Sequence, residues 1–382
     1  MSRPVLSNPD ELVVFDLVAT PSVSGSEAAA VGVFVRHASA LGLATEIDEA
    51  GNAIAHAGPA DAPGHIVLLG HIDTVPGDLP VTLQDGVLHG RGSVDAKGPL
   101  AAMLIAASRA RMPNGVRVSV AAAVGEETAD SPGARHLAGQ YRPDACIIGE
   151  PSGWDGVTLG YKGCLTISAR CERESSHSAG PDGSACDALM AWWADAGHQL
   201  DAFNESHTRM FEQIQATVRQ IQGGDDGVTQ HADLIAGFRL PPGITPDRLA
   251  ADLRDSAPSH IRLSHTGGEI AAHTDRRDPV VRSLSASIRD AGARPRHKLK
   301  TGTADFNVVA PVWNCPIAAY GPGDSSLDHT PSEHLIMSDF HRSIAVLSNT
   351  VELLAGEIAA DQALPSVPSS TDPVRQMPIR RS

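Results

Sequence analysis

Apolar positions along this 382-residue chain follow two rhythms, and each predicts a different kind of element. At 9–20 and 26–41 they recur at helical spacing, on either side of a turn at Pro21-Ser22-Val23-Ser24-Gly25. Short apolar runs at 43–48 and 52–57 read as strands, and Ile66-Val67-Leu68-Leu69-Gly70 carries no polar residue. An unbroken run of that kind predicts a strand buried on both faces. A hairpin is expected over 79–89, turning at Gln84-Asp85-Gly86. Helix 99–110, strand 116–124, helix 132–139 and strand 145–148 continue the alternation. Strands alternating with helices imply an α/β sheet covered on both faces.

The texture changes near Leu165. Residues 165–173 alternate like a half-exposed strand, helices are predicted at 184–200 and 204–213, and strands near 215–221 and 232–240. This reads as a smaller α+β unit set into the first. The earlier pattern returns with helix 278–291, strand 315–320 and helix 333–357. The expected organisation is a larger domain in two parts, 1–164 and 276–362, interrupted by 165–275. The Pro- and Ser-rich stretch 363–382 is expected to be a disordered tail.

Lys and Arg number 30 against 45 Asp and Glu, a formal charge of −15. That balance argues against general nucleic-acid or anionic-membrane binding. Five cysteines without Cys-x-x-Cys spacing disfavour both a disulfide scaffold and a zinc finger. Residues 1–10 lack an apolar leader and no run approaches transmembrane length, so a cytoplasmic protein of enzyme size is expected.

Chemistry begins where the apolar runs stop. Three predicted strands end in His71, in Glu126-Glu127 and in Glu150, and ligands of open α/β sheets bind beyond the carboxyl ends of strands. His71 and Asp73 stand two apart on an extended chain and so project to one side. An imidazole whose second nitrogen is held by a carboxylate is the usual form of a metal ligand. Asp95 at a glycine-flanked turn and His329 in Leu327-Asp328-His329-Thr330-Pro331 add two further donors. Two histidines with several carboxylates suit two zinc or cobalt ions bridged by one carboxylate.

These residues carry a resemblance. Gly70-His71-Ile72-Asp73-Thr74-Val75-Pro76-Gly77, Gly90-Arg91-Gly92-Ser93-Val94-Asp95-Ala96-Lys97-Gly98, Gly125-Glu126-Glu127 and Gly149-Glu150-Pro151 are similar to motifs of the di-zinc aminoacylase and carboxypeptidase family. That family includes acetylornithine deacetylase and succinyl-diaminopimelate desuccinylase. The resemblance implies a mixed-sheet di-zinc hydrolase domain with an inserted α+β lid and dimerisation domain. By position, His71, Asp95 and Glu150 would hold one metal and Asp95, Glu127 and His329 the other, with Asp73 behind His71. Glu126 would be the general base, and the peptide bond after Asp95 would be cis. His177 matches a lid histidine that supplies an oxyanion donor across a homodimer. Arg239 resembles an arginine that grips the substrate α-carboxylate, with Thr303 and Gly302 lining the pocket. Asp305 is a candidate contact for a basic side chain or a helix cap, and Lys97 is expected to pair with nearby carboxylates.

Stretches at 78–88, 97–100, 160–163, 300–305 and 320–331 look most like hydrolases that free lysine or ornithine from an acidic amino-group carrier protein in amino-acid biosynthesis. A basic run, Arg294-Pro295-Arg296-His297-Lys298-Leu299-Lys300, is a candidate docking surface for such a carrier. The alternatives are a deacylase acting on free N-acetyl-ornithine, N-acetyl-lysine or N-succinyl-diaminopimelate, and a non-catalytic binding protein of the same fold. The metal motifs are common to both enzymatic readings and do not separate them.

Overall fold

A computed structural model describes residues 8–177 and 183–363; apart from Ala363, the tail expected at 363–382 lies outside the described residues. The large mixed sheet runs Ala44–Ile47, Ala53–Ala57, Val116–Ala123, Gly64–His71, Ala145–Gly149, Ile317–Ala319, Gly156–Tyr161, Ala272–His273, with Arg296–Lys300 also paired to Gly156–Tyr161. Its centre is parallel: Gly64–His71 pairs in parallel with both Val116–Ala123 and Ala145–Gly149. Alternation in that central strand sends Ile66 and Leu68 into one core and Val67 and Leu69 into another, so both faces are covered.

The final helix, Met337–Ala363, is long and apolar enough by length and composition to cross a membrane. Here its Phe340, Ile344, Leu347 and Val351 are buried in the core against Lys97–Arg109 and Pro279–Asp290. The helix was expected from 333, but His334–Ile336 instead pairs with Val87–His89 and delays its start. The expected hairpin turns at Asp85 and Gly86, both with positive φ (51° and 76°), which the right-handed twist of a two-residue hairpin requires.

The chain leaves this sheet at Gly163 and builds a four-stranded antiparallel sheet ordered Gln215–Asp225, Thr229–Leu240, Gly163–Glu174, Ile261–Glu269. Leu165, Ile167, Ala169 and Cys171 point inward beneath helices Ala185–Asn204 and Pro246–Asp255. The intervening residues face away from the helices. The fold is therefore an α/β mixed-sheet domain with a smaller α+β insertion. Ala272–His273, grouped above with the insertion, is back in the large sheet, paired with Gly160 and Tyr161.

A helix was expected at 204–213, yet Met210–Glu212 forms a single 3-10 turn. The segment is held by Lys162, whose buried ammonium donates to the carbonyls of Met210 (3.1 Å) and Gln213 and to the Gln215 side chain (3.1 Å). The Met210 carbonyl also closes the 3-10 turn by accepting the Gln213 N–H at 3.3 Å. Burial, with Arg239 nearby, lowers Lys162 to about 8.

Candidate metal centre and substrate cleft

Three parallel neighbours, Val116–Ala123, Gly64–His71 and Ala145–Gly149, end side by side, so the residues just beyond them share one crevice. His71 closes its strand and is buried, as is Asp73. The imidazole Nδ1 lies 3.1 Å from the Asp73 backbone carbonyl and 3.4 Å from its carboxylate. Its Nε2 faces Asp95 Oδ1 at 3.1 Å and Glu150 Oε1 at 3.8 Å.

Asp73 also fixes the neighbouring segment. Its Oδ1 accepts the Glu126 N–H (3.1 Å), and its Oδ2 accepts the Glu127 N–H (3.1 Å) and the Ser24 hydroxyl (2.7 Å). Burial raises its pKa, but His71 and these donors outweigh it and hold the carboxyl below the usual range. One carboxylate thus ties together His71, Glu126, Glu127 and the 20–26 turn.

Asp95 stands between two imidazoles. Its Oδ1 faces His71, while its Oδ2 lies 3.0 Å from His329 Nε2, which is in turn 2.9 Å from Glu127 Oε1. The turn that carries it is held by buried Glu333, whose Oε1 accepts the Val94 and Asp95 N–H groups (3.0 and 3.1 Å) and whose Oε2 meets Arg91 at 2.7 Å. The Asp95-Ala96 peptide is cis, as the motif resemblance implied. His329 sits at φ 61°, a left-handed conformation uncommon for residues other than glycine.

The donor set fits a metal pair. Metal–ligand bonds of about 2.0–2.2 Å around a tetrahedral ion separate the ligand atoms by roughly 3.4 Å. The N···O separations here run from 2.9 to 3.8 Å. Donor atoms of His71, Asp95 and Glu127 also lie within 4.8 Å of one another. Hydrogen bonds to Asp95 and Glu127 raise His329 to about 10. Burial, then the charges of Asp305, Glu150 and Glu127, push Glu126 up against the pull of His71. Burial and Asp95 raise Glu150 to about 7.

Facing this cluster is the helix-free side of the small sheet, and between them lies a cleft of about 260 Å³. Glu126, Glu127 and His329 line one wall; Arg239, Arg219 and Thr166 line the other. Arg239 donates to Thr303 Oγ1 (2.8 Å), and the Thr303 hydroxyl donates to the Lys162 carbonyl (3.0 Å). Gly302 lies beside Thr303 but outside the residues that line the cleft. His177 is exposed, three residues past the end of strand Gly163–Glu174, whereas Cys164 at the other end lines the cleft. Ten strand steps at about 3.4 Å each put the two ends roughly 34 Å apart, so within one chain the structure does not join His177 to the cluster.

Three expectations are corrected. Asp305 does not cap its helix: it is the first helical residue, buried, with no hydrogen bond to either oxygen among the described residues. Burial, then Asp73, Glu150 and Glu269, raise it to about 8. Lys97 donates to the Thr20 carbonyl (2.8 Å) rather than to a carboxylate, and burial lowers it to about 8. In the basic run, Arg296 is paired with Asp155, and Lys298 donates to the Ser152 carbonyl at 2.7 Å. Residues 296–300 of that run form an edge strand of the large sheet, and Arg296 and Lys298 are engaged with their own chain. Sequence reading missed Ser24, Glu333 and Arg219, none of which belongs to a recognisable spacing.

The profile of peptidase family M20/M25/M40 matches residues 67–353. A curated LysW-lysine hydrolase from Deinococcus radiodurans is 41% identical, over 89% of this chain and 95% of its own length. A LysW-lysine/LysW-ornithine hydrolase from Saccharolobus islandicus is 29% identical, over 76% and 82% respectively. Among solved structures, the M20 family metallo-carboxypeptidase Sso-CP2 of Sulfolobus solfataricus superposes with a TM-score of 0.74 at 16% identity, covering 91% of this chain and 99% of its own. The chain belongs to peptidase family M20/M25/M40 and is a metal-dependent hydrolase of amide bonds.

Proposed function

We propose that this enzyme releases lysine, ornithine or a related diamino acid from the C-terminal glutamate of an acidic amino-group carrier protein of the LysW type, as a step of amino-acid biosynthesis. The observation that carries the reading is one cleft lined on one side by Glu127 and His329, the imidazole that meets Asp95, and on the other by the paired Arg239 and Thr303. The named relatives support the carrier as the acyl donor.

His71, Asp95 and Glu150 would hold one divalent ion, and Asp95, Glu127 and His329 the other, zinc by preference with cobalt as a substitute. When bound, such a pair acidifies the attacking water and polarises the scissile carbonyl. Glu126 takes the proton of that water and returns it to the leaving amine. Its backbone N–H is bound by Asp73, the carboxylate that also stands 3.4 Å from His71. Arg239 presents a planar fork to the α-carboxylate of the departing amino acid. His177 serves the oxyanion from the second subunit of a cytoplasmic homodimer, which its distance along the strand in a single chain favours.

The test is a comparison of kcat/KM for carrier-linked lysine, carrier-linked ornithine, N-acetyl-ornithine and N-succinyl-diaminopimelate with zinc- or cobalt-loaded protein. A carrier-linked substrate is expected to be best by a wide margin. If N-acetyl-ornithine or N-succinyl-diaminopimelate leads instead, the carrier reading is wrong.

A further inference from the structure

The cleft holds a second guanidinium that the motifs did not announce. In strand Gln215–Asp225, Val218 pairs with Ala236 and Gln220 pairs with Ile235, which leaves Arg219 as the extra residue of a β-bulge. Bulges re-aim a side chain out of the normal alternation. Here the side chain is laid across Gly237 of the neighbouring strand: a Cβ on that glycine would come within 2.5 Å of Arg219 Nε and 2.8 Å of its Cζ. Only a residue without a side chain leaves that lane open. Arg219 lines the cleft together with Arg239, Glu127 and His329. The small sheet's own acid in the cleft, Glu269, is paired with Arg135, and no carboxylate pairs with Arg219 among the described residues.

Gly237 and Arg239 are two residues apart on one strand, so the guanidinium over Gly237 and the side chain of Arg239 start about 7 Å from each other. A diamino acid linked to the γ-carboxyl of a C-terminal glutamate carries a free carboxylate on each side of the scissile amide. One belongs to the departing amino acid and the other to the glutamate. We propose that Arg219 binds the α-carboxylate of that glutamate, so that the enzyme selects γ-glutamyl conjugates over other acyl groups. The inference rests on the carrier reading above and adds the chemical feature of the acyl group that is recognised.

The experiment compares Nα-(γ-glutamyl)-lysine with Nα-(4-aminobutyryl)-lysine, which differ by that carboxylate alone, using the metal-loaded full chain and reading KM and kcat separately. Wild type should favour the glutamyl compound through KM by about tenfold or more, the size expected of a charge-assisted pair. Arg219→Ala should abolish the preference by raising KM for the glutamyl compound while leaving the other substrate unchanged, and Arg219→Lys should restore part of it. Gly237→Ala keeps the charge but displaces the guanidinium, and should give the same selective loss without a change in thermal stability. A preference that survives Arg219→Ala, or equal losses on both substrates, overturns the inference alone. Wild type that cleaves Nα-acetyl-lysine but not the glutamyl compound overturns the carrier reading first.

Discussion

The strand-end cluster and the helix-free face of the small sheet meet across one cleft, yet they are built by opposite rules. In the cluster, His71, Asp73 and Glu150 are buried, and Asp73 and Glu333 bind the backbone N–H groups of Glu126, Glu127, Val94 and Asp95. Across the cleft, Arg219 is an exposed side chain on a sheet face with no helix over it among the described residues. A buried network has one arrangement, since any unpaired member would bear the full cost of desolvation. An exposed arginine is placed by backbone shape instead, through a bulge and a glycine. In the proposed function the contrast separates reaction from recognition: the buried wall would carry the chemistry, and the exposed wall would distinguish one substrate from another.

If that division is right, the largest losses come from the buried wall and appear in kcat. Glu126→Gln should lower kcat by roughly 10²–10⁴-fold, the range for loss of a general base, with metal content unchanged by elemental analysis. A variant that keeps wild-type kcat would move the base to another acid, with buried Asp305 the first candidate. Asp73→Asn comes next. It leaves the ligands in place but weakens the bonds that orient His71, Glu126 and Glu127. Second-sphere changes of this kind cost about 10–100-fold in metal affinity or activity, so a metal titration should move by that much. An unchanged titration would mean that the Asp73 carbonyl alone holds the imidazole.

The recognising wall should respond in KM. Arg239→Ala is expected to raise KM by about tenfold or more while kcat falls less, since a guanidinium–carboxylate pair is lost from the bound substrate. Arg239→Lys should not recover it, because an ammonium cannot reproduce the planar fork that also reaches Thr303. A fall confined to kcat would place Arg239 with the reacting atoms and dissolve the proposed division of labour.

The same division explains what the sequence made legible. Unbroken apolar runs followed by His71, Glu126-Glu127 and Glu150 mark buried parallel strands and their ends, because a strand covered on both faces tolerates polar residues only where it stops. Arg296–Lys300 was read as a charge run rather than a strand, since pairing at a sheet edge leaves no apolar alternation behind. The small sheet's Gln215–Asp225 strand is exposed along nearly all its length, so its pattern is weak and the bulge at Arg219 leaves no trace in residue types. Glu333 and Ser24 were invisible for a different reason. They act over long separations in sequence, bonding to Asp95 and Asp73, and no local spacing encodes such a partner.

The smallest effect is expected at the 294–300 run, the candidate docking surface. A carrier with an acidic surface would dock well on the 294–300 run if its cations were turned outward and unpaired. Arg296 instead pairs with Asp155, and Lys298 is bonded to the Ser152 carbonyl, so docking there would first have to break bonds the chain already makes. Exposed pairs of this type contribute about 0.2–1 kcal/mol, and the arginine head is 60% exposed. Arg296→Ala should therefore lower stability by no more than about that amount. KM for carrier-linked lysine should stay within about twofold of wild type for Arg296→Ala and for Lys298→Ala alike, a shift of the size that loss of a surface contact gives. A steep KM rise confined to the carrier-linked substrate, absent with Nα-acetyl-lysine, would show that the carrier competes successfully for these heads. Recognition would then extend over both walls of the cleft and onto the large sheet's edge, and the separation of chemistry from recognition would fail at that edge.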